Sequence, residues 1–109
     1  MENRLVLDGC LSKRGTLRHT PVGVAAIDFT VTHDSMQVEA GRRRRVRCEV
    51  AAVAVGETAQ AVGALHLNQP VRLTGFLAQR GNDDRRLTLH VTGVSTVAGG
   101  PPELGQRQE

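Results

Sequence analysis

Aromatic side chains are almost missing from this chain. Its 109 residues include no Trp, no Tyr and only two Phe, Phe29 and Phe76. Proteins that grip bases by stacking draw roughly 1–3 kcal/mol from each aromatic platform. With so few rings, any hold on a nucleic acid is expected to run mainly through phosphates. Lysine is nearly missing too, and Arg outnumbers it 13 to 1. Arginine offers a planar fork to phosphate where lysine offers a point charge. There are two cysteines, Cys10 and Cys48, each in an apolar strand-like segment. Their separation excludes a paired-cysteine zinc motif, and they read as two buried free thiols behaving as small hydrophobes. No apolar run approaches the ~20 residues of a membrane span. Met1–Arg4 leads straight into a strand with no leader-like segment, so a non-membrane, cytoplasmic protein is expected. There is no phosphate-binding glycine loop, no His-Glu zinc motif and no nucleophile with a nearby base. The Asp83-Asp84 pair has no further oxygen ligands in its neighbourhood. Neither an enzyme nor a metal or other cofactor is expected.

What the chain has is clustered positive charge. The formal net charge is only +3, with a pI near 9.7, but its distribution is uneven. Arg42, Arg43, Arg44, Arg45 and Arg47 crowd one stretch that leads into an apolar strand, Val46 to Val55. Lys13, Arg14 and Arg18 form a second group, and Arg80, Arg85 and Arg86 a third, the last alternating with Asp83 and Asp84, which neutralise part of it. The competing reading of the run is a charged strand edge that deters aggregation.

A chain of this length forms one domain and buries roughly 60–70% of its unfolded surface. The first strand spans Leu5 to Leu11 and is interrupted by Gly9, as at a barrel corner. The second alternates Ala25, Ile27, Phe29, Val31 against Ala26, Asp28, Thr30, Thr32, a half-buried strand. His33 to Gly41 reads as a polar loop. The third strand sets Val46, Cys48 and Val50 opposite Arg45, Arg47 and Glu49. Its apolar parity then changes near Ala51-Ala52, which predicts a bulge. Gly56 to Leu65 is a two-turn helix that must pack on the sheet to persist. The fourth strand turns Val71, Leu73 and Leu77 inward around Gly75. Arg80 to Arg85 is a hairpin loop, and the fifth strand sets Leu87, Leu89 and Val91 against Thr88, His90 and Thr92. Residues 1–98 form the domain, and 99–109 read as a disordered tail.

Three strands, a helix and two strands, with glycines inside short strands, predict an all-β, five-stranded OB-fold barrel with one helix between strands three and four. The ligand face of that fold lies on strands two and three, flanked by the loops after strands one and four. All three basic groups fall there, so eleven residues are candidate nucleic-acid contacts: Lys13, Arg14, Arg18, Arg42, Arg43, Arg44, Arg45, Arg47, Arg80, Arg85 and Arg86.

Asn3-Arg4-Leu5-Val6-Leu7 with Gly9, then Phe29, His33, Gln37 through Gly41, Cys48, Gln60-Ala61, Gly75-Phe76 and Leu89-His90 resemble the primosomal replication protein N (PriB) family. The similarity covers residues 1 to 97. It implies a homodimeric OB fold, related to bacterial single-stranded DNA-binding proteins, that joins the helicase PriA and a loader-type partner when stalled replication restarts. The family's DNA surface falls on Arg18, Arg42, Arg44, Arg47, Arg80 and Arg86. Where better-known members carry Phe and Trp, this chain has Arg42 and Arg47, an exchange of base stacking for phosphate contact. The loss amounts to about 2–6 kcal/mol before the new contacts offset it. A weaker, more salt-sensitive and more partner-dependent DNA binder is expected. The alternatives are a primosome adaptor with little DNA affinity, and an RNA-binding OB domain.

Overall fold

Alternating apolar residues commit the longest strand to one inward face, and Ala25, Ile27, Phe29 and Val31 are all buried. A computed structural model describes residues 1–97; the expected tail at 99–109 lies outside the described residues. The elements are β1 (Leu5–Arg14), β2 (Arg18–His19), β3 (Ala25–Glu39), β4 (Arg42–Val55), α1 (Glu57–Gly63), β5 (Pro70–Gly81) and β6 (Asp84–Thr96). The sheet runs β1-β5-β6-β4-β3, and β1 pairs again with β3, which closes a five-stranded barrel; β2 is a two-residue addition beside β3. β4 and β6 are parallel, through Ala52↔Leu89 to Ala54↔Val91. This is the expected OB-fold order, with the helix between the third and fourth barrel strands. Among the described residues no helix is long and apolar enough to cross a membrane.

The barrel closes where β1 changes partner. Cys10 stands opposite both Pro70 of β5 and Thr32 of β3. Gly9 occupies this corner: a Cβ there would sit 2.6 Å from the Thr32 carbonyl oxygen. Gly75 is tighter still, since a Cβ would overlap the His90 carbonyl, at a register shift between β5 and β6. Inside, Leu11, Ile27, Val31, Val71, Leu73 and Leu89 are fully buried, with Ala59 and Val62 of α1 packed on them. Each such Leu, Ile or Val contributes about 1.5–3 kcal/mol of transfer free energy. That burial holds α1 in place, because a seven-residue helix has too little internal stability of its own.

Three expectations are corrected. The segment His33–Gly41 is not a loop. β3 continues to Glu39, β4 begins at Arg42, and the pairing is unbroken from Ala26↔Val55 to Glu39↔Arg42. Ala40 (φ 54°) and Gly41 (φ 76°) form the two-residue turn, both in the left-handed region that a tight hairpin of this twist needs. The distal part of this ribbon leaves the barrel, so neither of its faces needs to be apolar and the strand pattern disappears from the sequence. The bulge at Ala51-Ala52 is absent, because the register does not shift. The inward residues are Ala52 and Ala54, opposite Phe29 and Ile27, while Val53 is half-buried and Val55 exposed. Small residues face large ones, so the bulkier valines lie outside. Finally, both thiols are free but only partly as expected: Cys10 is half-buried, and Cys48 is exposed on the ribbon.

Candidate nucleic-acid interface

The outward faces of β3 and β4 floor a groove of about 560 Å³. Asp28, Thr30, Ala51 and Val53 line its bed. Lys13, Arg14 and Arg18 come from the β1–β2 segment, and Arg80, Thr88 and His90 from the β5–β6 hairpin. Three segments remote in sequence therefore converge here, as the OB topology predicts. Four of the eleven expected residues, Lys13, Arg14, Arg18 and Arg80, line the groove itself. Arg85 and Arg86 do not line it. They lie just past the hairpin turn, and the expected Arg80–Arg85 loop shrinks to Asn82 and Asp83 between β5 and β6.

The arginine run lies on the ribbon beyond the groove. Paired residues of an antiparallel ladder share a face, and successive residues alternate. Arg43, Arg45 and Arg47 pair with Val38, Met36 and Asp34 and share the parity of Thr30 and Ala51. They extend the groove's own face outward, Arg47 about 13 Å and Arg43 about 26 Å beyond Ala51 at the usual strand rise. Arg42 and Arg44 pair with Glu39 and Gln37 on the opposite face, which carries Val46 and Cys48. The run is thus divided three to two between the faces. Arg42 and Arg44, assigned by resemblance to one DNA surface with Arg47, are on the other side of the ribbon from it.

Many of these cations already have an anionic neighbour. Arg45 grips Asp34 with two hydrogen bonds of 3.1 and 2.6 Å, and Arg47 lies 3.9 Å from the same carboxylate. Arg45 holds the Asp34 carboxyl below its usual range, chiefly by hydrogen bonding. Arg18 donates to both oxygens of Asp28 in the groove bed, at 3.3 and 3.1 Å. Arg44 donates to Glu39 at 2.7 Å. Arg86 closes on Asp84, at 2.9 and 2.7 Å, and draws its pKa down to about 2, first through side-chain and then through backbone hydrogen bonding. Arg14 donates to the carbonyls of Val62 and Leu65, so it also caps the C-terminal end of α1. Among the described residues, no carboxylate is within 4.0 Å of the charged groups of Lys13, Arg42, Arg43, Arg80 or Arg85.

Sequence reasoning missed the acids that occupy this face, Asp28 and Asp34, and the one ring pair beside it. Asp28 was legible as an outward strand residue, and Asp34 was hidden by the reading of its segment as a loop. Phe76 and His90 are cross-strand partners whose rings stack at 5.0 Å between centroids and 7° between planes. Away from the groove, Arg72 pairs with Asp8 across β1 and β5 and depresses its carboxyl. The Asp8 carbonyl also meets Nδ1 of His33 at 2.6 Å, a contact that ties β3 to β1.

Residues 3–93 match the model of a family described as another single-strand binding protein family. Replication restart protein PriB of Bordetella pertussis is 35% identical over 97 residues, covering 89% of this chain and 91% of the relative. The chain belongs to the PriB replication restart family. PriB of Nitrosomonas europaea is 34% identical, with 82% of each chain covered. The solved PriB of Ralstonia solanacearum superposes with a TM-score of 0.80 at 26% identity, over 89% of this PriB-family chain and all of that one. A small single-stranded DNA-binding protein from Streptomyces coelicolor shares the fold, with a TM-score of 0.68 at 15% identity over 90% and 96% of the two chains. The resemblance read from the residues and the OB-fold class thus both hold.

Proposed function

We propose that this PriB-family chain is a non-enzymatic, single-stranded DNA-binding accessory factor of replication restart that holds the strand chiefly by its phosphates. The observation that carries the reading is the continuity of one cationic face. Lys13, Arg18 and Arg80 around the groove are followed, on the same side, by Arg47, Arg45 and Arg43 of the ribbon. The strand lies along the groove and out over the ribbon, and bases contribute less than in aromatic-rich OB folds. The factor acts as a homodimer and presents the strand to the restart helicase PriA and a loader-type partner. A dimer raises apparent affinity by making the second contact intramolecular. One available seam is the edge of β1 at Leu5–Gly9. It pairs with β5 on one side, and no strand among the described residues pairs with the other.

Fluorescence anisotropy of a labelled oligonucleotide across salt tests this reading. Neutralising five phosphates should make log K fall with log salt at a slope of roughly −3.5. A flat response would exclude the electrostatic mode. The two ribbon faces separate in the same assay: R43A/R47A should weaken binding and flatten the slope, and R42A/R44A should do neither. The reverse pattern would move the strand to the other face. The adaptor reading is favoured by one observation, the carboxylates already seated on Arg18, Arg44, Arg45 and Arg86. Helicase stimulation that persists in R43A/R47A would support it. Competition between matched DNA and RNA strands decides the chemistry of the ligand.

A further inference from the structure

The stacked rings of Phe76 and His90 have no role in the phosphate contacts above. Phe29 is buried in the core at 4% exposure, so Phe76 is the one Phe with a free surface, and 39% of it is exposed. It points outward from β5, on the side away from Val71, Leu73 and Leu77. His90 is its register partner on β6, and the two rings lie nearly parallel, 5.0 Å apart. His90 also lines the groove, together with Arg18 and Arg80. Phe76 does not line the groove itself but stands one strand beyond its edge, stacked on the His90 that does, and so joins two requirements of a single-strand site: charge nearby to hold the backbone and a flat apolar surface for a base. Leaving a Phe half in water forgoes burial that the barrel interior offers its other Phe.

We infer that Phe76, backed by His90, is a stacking platform for one unpaired base of a strand held in the groove. His90 orients and supports the ring, and Phe76 meets the base. The platform is on the β5–β6 side of the groove: Phe76 lies one strand beyond His90, which itself pairs with Val53 of the groove bed. The inference rests on the single-strand reading and adds to it the place where bases, not phosphates, are felt. Because the chain has no Trp, F76W would install a sole fluorescent reporter on the platform.

The test titrates F76W with a poly-dT oligonucleotide and with an abasic phosphodiester strand of equal length. Saturating dT should quench the indole emission, and the abasic strand should leave it unchanged. In parallel anisotropy assays, wild type should prefer dT over the abasic strand by about ten-fold, as one stacked base implies. F76L, which keeps apolar bulk on the surface, should lose that preference while retaining the wild-type salt slope. An unquenched emission at saturation, or a dT preference intact in F76L, overturns the platform and leaves the phosphate reading standing. Failure of wild type to bind either strand overturns the single-strand reading, and the platform with it.

Discussion

Asp34 sits where a phosphate of the proposed strand would have to bind. It occupies Arg45 and lies within reach of Arg47, and Arg45 keeps it ionised by lowering its pKa. Exposed pairs of this kind add little to stability. D34N should therefore fold normally, bind single strands more tightly and steepen the salt slope by about 0.7 for each arginine released to a phosphate. Unchanged affinity and slope would mean that neither arginine meets the backbone. Asp84 has a different consequence. A carboxyl depressed to about 2 in the folded chain supports the hairpin at any pH above its unfolded value, near 3.9. That support is lost as pH falls from about 4 through 2, not at neutral pH. A carboxyl-carbon NMR titration should give Asp84 a midpoint near 2, and R86A should return it towards the ordinary value. A midpoint unmoved by R86A would remove Arg86 as the cause. At this scale much was legible: the eleven cations were read from the sequence, and four of them do line the groove. Their carboxylate partners were not, because an ion pair across strands depends on register, and the segment of Asp34 read as a loop with no register at all.

The β3–β4 ribbon is the element least visible in the sequence. Inside the barrel β3 alternates by burial from Ile27 to Val31, while Ala26, read on the outward face, is buried with its neighbours. Beyond the barrel, Asp34–Glu39 and Arg42–Arg47 face solvent on both sides, so the period of two has no hydrophobic component to detect. The ladder and the turn hold the ribbon in place of a core. Ala40 occupies a left-handed conformation that disfavours a Cβ. A40N, which gives the Asn-Gly pair preferred in such turns, should slow amide exchange from Met36 to Arg45. Exchange in the barrel strands should not change. Faster exchange in A40N would show that the turn is not the two-residue form. The alanines of β4 teach the complementary lesson. Ala52 and Ala54 are the core residues and Val55 is exposed, because Phe29 and Ile27 opposite already fill that space.

At the scale of the molecule, barrel closure makes the groove. β5 and β6 approach so closely at Gly75 that any side chain there would collide with the His90 backbone, which cannot yield as a flexible side chain does. G75A should destabilise the fold by about 1–3 kcal/mol or more, measured as a lowered urea midpoint. A wild-type midpoint would mean that the strands are farther apart in solution. The same closure displaces His90, Phe76 and the groove wall, so a surviving G75A should also bind single strands poorly. The sequence by itself determined the strand order, the inward residues of the second and fourth strands with Leu89 and Val91 of the fifth, the helix between strands three and four, and the scarcity of rings. These follow from local periodicity, turn chemistry and composition. Only the tertiary structure decided which arginines share a face, which are already answered by carboxylates, and that the one exposed Phe stands beside a histidine of the groove. Those facts depend on strand register and on contacts between residues far apart in the chain, and neither leaves a local pattern to read.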